Sequence, residues 1–156
     1  VIQHDVKKNF ELQLKNFKEH YSKKSIAFLV TQPWSETEQL SSTEEKQIIS
    51  SVIEHLSKQY CVIVKPHPRE DKQKYNFKNV IVLGNEYPAE FYLCALEKKD
   101  IVVGFNSTAL VSSAFIFGLQ TYTISDRVAF SNVDNMMKIA CKEFLNLTDG
   151  VISVFK

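Results

Sequence analysis

Three side chains able to carry positive charge or donate to an anion, Lys65, His67 and Arg69, fall within five residues of one another in the run 61–71, CVIVKPHPRED. A histidine has an unperturbed pKa of about 6.5, so it can donate or accept a proton near neutral pH. The residues before it, 60–64, are β-branched and apolar and read as a buried strand. Pro66 and Pro68 cannot donate ladder hydrogen bonds, so the strand must end there. Each proline also pushes its preceding residue, Lys65 or His67, towards an extended conformation. The imidazole therefore rides on a stiff segment at the carboxyl end of a strand, where open α/β sheets bind ligands. An anion suits that chemistry. A strand-terminating turn with solvated charges would use the same residues.

A second group lies in residues 104–108, Gly-Phe-Asn-Ser-Thr, between an apolar run and an apolar helical stretch. Glycine permits a tight turn there. Ser107 and Thr108 place hydroxyls beside the unpaired amides of a helix N-terminus, which favours phosphate. Neither the Walker pattern nor the three-glycine dinucleotide fingerprint is present. Plain N-capping by Asn106 or Ser107 is the competing explanation. Glu90, in the first turn of a helix opened by Pro88, adds a carboxylate. Donors for a phosphate and a carboxylate for ribose hydroxyls together suit a nucleotide.

The elements that must position these groups follow from the apolar pattern. Residues 7–21 space Phe10, Leu14, Phe17 and Tyr21 along one helix face. Strands are expected over 26–31, 60–64, 80–83, 100–103 and 120–124. Ser42 and Glu45 have capping-box spacing at the start of a helix reaching about residue 59. The stretch 72–78 is polar and basic without an apolar period. Further helices are expected over about 88–98, over 109–117 with Gly118 as C-cap, and over about 135–145. The tail from residue 147 has room for a last short helix. Alternating strands and helices predict an α/β fold, a Rossmann-like parallel sheet of about five strands flanked by helices.

Bulk properties narrow the classes. With 156 residues and 44% apolar content the chain can bury the core of one domain. A net charge of +1 with no basic block removes the electrostatic case for nucleic acid. Cys61, Cys94 and Cys141 are scattered through apolar stretches, as buried thiols are. No apolar run approaches the roughly 20 residues of a membrane span. No Asp-x-Asp pair or His/Cys cluster offers itself to a metal.

In their order and spacing, Thr31-Gln32-Pro33, Lys65-Pro66-His67-Pro68-Arg69, Pro88-Ala89-Glu90 and Asn106-Ser107-Thr108 resemble the C-terminal half of bacterial sialyltransferases. The lipooligosaccharide sialyltransferases are the nearest in that resemblance, with polysialyltransferases and Pasteurella-type enzymes as relatives; it covers roughly residues 25–145. Such enzymes are GT-B glycosyltransferases of two Rossmann-like domains. The resemblance implies that residues 1–156 form one nucleotide-sugar-binding domain, the C-terminal half of such an enzyme, with residues 1–24 as a connecting helix. It implies that His67 contacts the CMP phosphate and protonates the leaving group, that Ser107 and Thr108 hold that phosphate, and that Glu90 holds the ribose. Lys65 and Pro66 would lie by the cytosine through their backbone, with Pro68 in the same motif.

The implied donor is CMP-sialic acid, with no metal or other cofactor, and the implied partners are a glycan acceptor and an N-terminal domain carrying the catalytic base. Without that base the chain alone would be inactive. The implied location is cytoplasmic, with the whole enzyme peripheral to the inner face of a bacterial membrane. Another nucleotide-dependent glycosyl- or glycerophosphotransferase, or a non-catalytic α/β interaction domain, would fit the same residues. A hydrolase using His67 lacks a nucleophile beside a base.

Overall fold

Strand order decides what this chain can do with its loops. The computed structural model describes residues 2–21, 25–125 and 152–155. Helix α1 (Ile2–Tyr21) precedes strand β1 (Ile26–Val30), helix α2 (Ser42–Ser57) and strand β2 (Cys61–Lys65). A 3-10 turn (Lys72–Tyr75), β3 (Val80–Val82), α3 (Glu90–Leu93) and β4 (Ile101–Gly104) follow. Then come α4 (Thr108–Val111), a π turn (Ser112–Ile116), β5 (Gln120–Thr123) and β6 (Ile152–Val154). The six strands form one sheet in the order β3-β2-β1-β4-β5-β6, and every pairing is parallel. The order reverses between β1 and β4, the Rossmann switch point, where loops diverge and leave a crevice.

Both faces of the sheet are covered, which is why the central strands read as unbroken apolar runs. Ala27, Leu29, Val62, Val64, Ile101 and Val103 point one way, against Ile49, Val52, Ile53 and Leu56 of α2. Phe28, Val30, Ile63 and Val102 point the other way, towards Phe10, Leu14 and Phe17 of α1, Leu93 of α3 and Leu110 of α4. The apolar spacing of the first helix thus packs on the sheet, with Phe10 edge-on to Tyr92 at 4.9 Å between ring centroids.

Several expectations shift. The capping box opening α2 is Ser41 with Glu44, whose side chains and backbone amides bond reciprocally, and not Ser42 with Glu45. Glu45 is freed to turn inward, where it is buried. The helix expected over 88–98 is only Glu90–Leu93, because the chain then winds into i→i−3 turns (Ala95 to Tyr92, Leu96 to Leu93). Buried Asp100 closes those turns by accepting from the amides of Glu97 and Ile26, both at 2.8 Å.

The helix expected over 109–117 starts one residue earlier and widens into the π turn, whose Phe117 amide bonds Ser112 O. Gly118, at φ +59°, ends it as expected, and Leu119 N–H reaches back to Ser113 O at 2.9 Å. The polar stretch 72–78 holds the 3-10 turn and a buried Tyr75. The described part of the tail, residues 152–155, holds strand β6: the outer edge of β5 pairs with it, and Ile152 is buried. The helix expected over 135–145, and Cys141, lie outside the described residues.

Candidate functional site

At the carboxyl end of β2 the ladder runs one step beyond β1, since Thr31 N–H donates to Lys65 O at 3.2 Å. Lys65 itself is only 3% exposed, and its ammonium donates to Pro66 O at 3.1 Å. A central strand buried on both faces leaves that side chain no route to the surface. Lys65 therefore does not present its charge as the motif suggested. Pro66 is buried, Pro68 and Arg69 are exposed, and His67 is half-buried between them.

Residues 67–70 close a turn through Glu70 N–H to His67 O at 2.9 Å. Within it Arg69 N–H donates to His67 Nδ1 at 3.2 Å. With Nδ1 accepting, the neutral imidazole carries its proton on Nε2. That is the form of a hydrogen-bond donor.

At the end of β4, Gly104 is required by close approach. A Cβ there would stand 2.9 Å from Val30 O and 3.2 Å from Leu110 Cδ2. Phe105 turns inward against Trp34 of the β1 loop, with ring centroids 5.4 Å apart and nearly perpendicular. Trp34 is only 2% exposed, so it pins the β1 loop to the β4 loop. Ser107, at φ −121° and ψ 142°, caps the next helix by accepting from Ala109 N–H at 3.2 Å. The capping explanation is thus correct for Ser107, but its own O–H remains a donor. Thr108 is exposed.

The His67 turn and the Ser107 turn leave strands on either side of β1. Two strand spacings separate them, about 10 Å. Glu90 joins the β4 side: its Oε1 accepts from Ser112 Oγ at 3.2 Å, one turn beyond Thr108. It is therefore an engaged carboxylate and not a free one. A groove of about 980 Å³ lies between α1 and β3, but none of His67, Glu90, Ser107 or Thr108 lines it.

Residues 2–125 match the family model of the alpha-2,8-polysialyltransferases (POLYST). The chain belongs to this family. It is thereby placed among sialyltransferases, a class of glycosyltransferases. The match spans everything from α1 through β5. No curated protein and no solved structure matches. No helix among the described residues is long and apolar enough to cross a membrane.

In this polysialyltransferase-family chain one polar group at the strand ends that the motif reading passed over is tied to several segments. Glu70 is 5% exposed. Its Oε2 accepts from Thr31 Oγ1 at 2.6 Å and from the His67 backbone N–H, and its Oε1 accepts from Tyr75 Oη. Burial, and then the charge of Glu70, push the Tyr75 hydroxyl well above its usual pKa, so it stays a donor. The oxygens of Glu36, Glu45 and Glu70 lie within 4.8 Å of one another. Lys74 already sits among them, 2.9 Å from Glu45 and 3.0 Å from each of the other two. Burial pulls the Lys74 ammonium down, but its bonds to Glu45, Glu70 and Glu36 outweigh that and raise it. Glu36, raised by burial, is lowered overall by Lys74 and by backbone donors. This acidic cluster thus carries its own built-in cation. One signal in the sequence pointed to Glu70: an acid three residues after His67, the spacing at which a carboxylate reaches back to a backbone amide.

Proposed function

We propose that this chain is the donor-binding domain of a sialyltransferase, one half of a GT-B enzyme, and that it seats the CMP of CMP-sialic acid at the carboxyl edge of its sheet. Its placement among sialyltransferases supports the chemistry. The observation that carries the site is that the His67 and Ser107 turns flank β1 at the switch point of the β3-β2-β1-β4-β5-β6 sheet. Ser107 and Thr108 hold the phosphate with their hydroxyls and with the amides of the following helical turn. Glu90, oriented by Ser112, takes the ribose hydroxyls. The backbone of Lys65 and Pro66, with Pro68 beyond, borders the base.

In transfer, the acceptor hydroxyl attacks the anomeric carbon of the sugar while the bond from that carbon to the phosphate oxygen breaks. The bonding pair stays on phosphate, whose oxygen gains negative charge. For its proton to pass to that oxygen, His67 enters the step as the imidazolium, with Nδ1 protonated as well and released from the Arg69 amide. It gives up the Nε2 proton and is left neutral, and the hydroxyl donors stabilise the charge as it develops. A base from the other GT-B domain takes the acceptor's proton, so this chain alone does not turn over. A single phosphate needs less neutralisation than a pyrophosphate, and the mechanism requires no metal. The whole enzyme works in the cytoplasm, against the inner face of a bacterial membrane.

Titration with CMP followed by backbone chemical-shift mapping tests this reading. Amides of His67, Ser107 and Thr108 should move, and UDP and CDP-glycerol should compete less well. Shifts confined to other residues, or none at millimolar CMP, would refute it.

A further inference from the structure

We infer that Glu70 is a positioning residue that sets the orientation of the His67 imidazole; this rests on the donor-binding reading. Glu70 is the point at which three separate segments are tied together. Its carboxylate takes the Thr31 hydroxyl at the end of β1, the backbone N–H of His67 at the end of β2, and Tyr75 and Lys74 from the 3-10 turn. It touches the histidine only through the main chain. The same turn that places Glu70 also fixes the imidazole, since the 67–70 turn brings Arg69 N–H onto Nδ1 at 3.2 Å.

Two consequences follow from that linkage. The ring is held in one tautomer, with Nε2 as the donor. The turn is also held against β1, the strand that separates it from the Ser107 turn. A carboxylate suits this position because it offers acceptor sites for four donors at once. No neutral side chain of that length offers as many.

The test uses protein labelled with [15N]histidine, in wild type, Glu70→Gln and Glu70→Ala, with and without CMP. The chain has four histidines, and the His67 signals are those lost in His67→Ala. Without ligand, at a pH where His67 is neutral, the wild type should show an unprotonated Nδ1 and a protonated Nε2. Glu70→Ala should show tautomer-averaged nitrogens. It should also bind CMP about 10-fold or more weakly, the scale of one lost charge-assisted bond. Glu70→Gln keeps one acceptor oxygen for Thr31 and His67, so it should retain the tautomer and fall between the two in affinity.

A folded Glu70→Ala with wild-type His67 nitrogens would overturn the proposal and leave Glu70 a purely structural residue. A wild type whose His67 ignores CMP would refute the donor-binding reading, while the ligand-free arm would still decide the role of Glu70. Should Glu70→Ala not fold, Glu70→Met keeps most of the side chain's length and removes both acceptor oxygens, the one on the His67 amide included. Unchanged His67 nitrogens in that variant would equally overturn the proposal.

Discussion

Replacing Lys74 by methionine removes the cation that the described residues place among Glu36, Glu45 and Glu70, while keeping most of the stem. Glu36 is exposed and can rehydrate, but Glu45 and Glu70 are buried and have oxygens within 4.8 Å of each other. At an effective dielectric of about 20, two unit charges at that distance repel by about 3.5 kcal/mol. Removing one member of a buried ion pair typically costs about 3–5 kcal/mol. The Lys74 side chain is 19% exposed, and solvent screening favours the low end of that range. A loss of about 3 kcal/mol in a domain of this size lowers Tm by about 6–12 °C.

The sign with pH is specific. In the wild type the raised Lys74 ammonium contributes fully below its ordinary 10.5, and that contribution is lost as pH rises through the folded value. The lowered Glu36 carboxyl contributes above its ordinary 4.5, and that is lost as pH falls through the folded value. In Lys74→Met both contributions are gone. Calorimetry should therefore find the deficit against wild type level from about pH 5 to about pH 10, shrinking below 4.5 as the Glu36 share is lost and above 10.5 as the Lys74 share is lost. A Tm loss below about 3 °C near neutral pH, or one that shrinks at neither end, would refute the reasoning.

Gly104→Ala should cost about 1–3 kcal/mol, because its new methyl meets a backbone oxygen that cannot swing aside; an unchanged denaturation midpoint would show that β1 and α4 yield freely. In the intact enzyme, His67→Ala should lower kcat far more than it weakens donor binding, general acids being worth about 100- to 10,000-fold. Ser107→Ala with Thr108→Ala should also raise the donor KM, each charge-assisted bond counting about 1.5–3 kcal/mol. A donor with a better leaving group should rescue only the histidine variant, and equal rescue of both would mean that His67 merely binds.

The sheet was legible in the sequence wherever burial was two-sided. Residues 26–30 and 61–64 are apolar throughout because helices cover both faces, and nothing else in the chain competes with that pattern. Two short elements were not legible. Ile152–Val154 becomes a strand only because β5 has a free edge beside it, a tertiary fact that three residues do not announce. The π turn after α4 is equally silent, since its widening shows only in the backbone bonds that Ser112 and Ser113 accept. Lys65 was misread for a related reason. A lysine before Pro-His-Pro suggests a displayed cation, but its strand is central and the side chain folds back onto Pro66 O. The position of His67 at a strand end was legible, and the three-residue spacing to Glu70 was a local signal; the tie from Glu70 to Thr31 was not, since it spans 39 residues of chain.

That difference bears on how such a site can work. A phosphate is charged before and after its glycosidic bond breaks, so hydroxyls and amides aimed at it bind donor and product alike. Only interactions that strengthen in the transition state accelerate the chemistry. On the proposed reading, the hydroxyl side of the crevice supplies affinity, and the His67 side supplies what changes during reaction. The structure treats the two sides differently in a way that matches. Thr108 stands exposed at the first turn of its helix, whereas the His67 turn is fixed by a buried carboxylate, a buried tyrosine and a lysine. A misplacement of about 1 Å in a proton donor can cost about 100-fold in rate, while a phosphate with three oxygens tolerates more. On that reading, the ties to buried groups gather at the one side chain whose aim matters most.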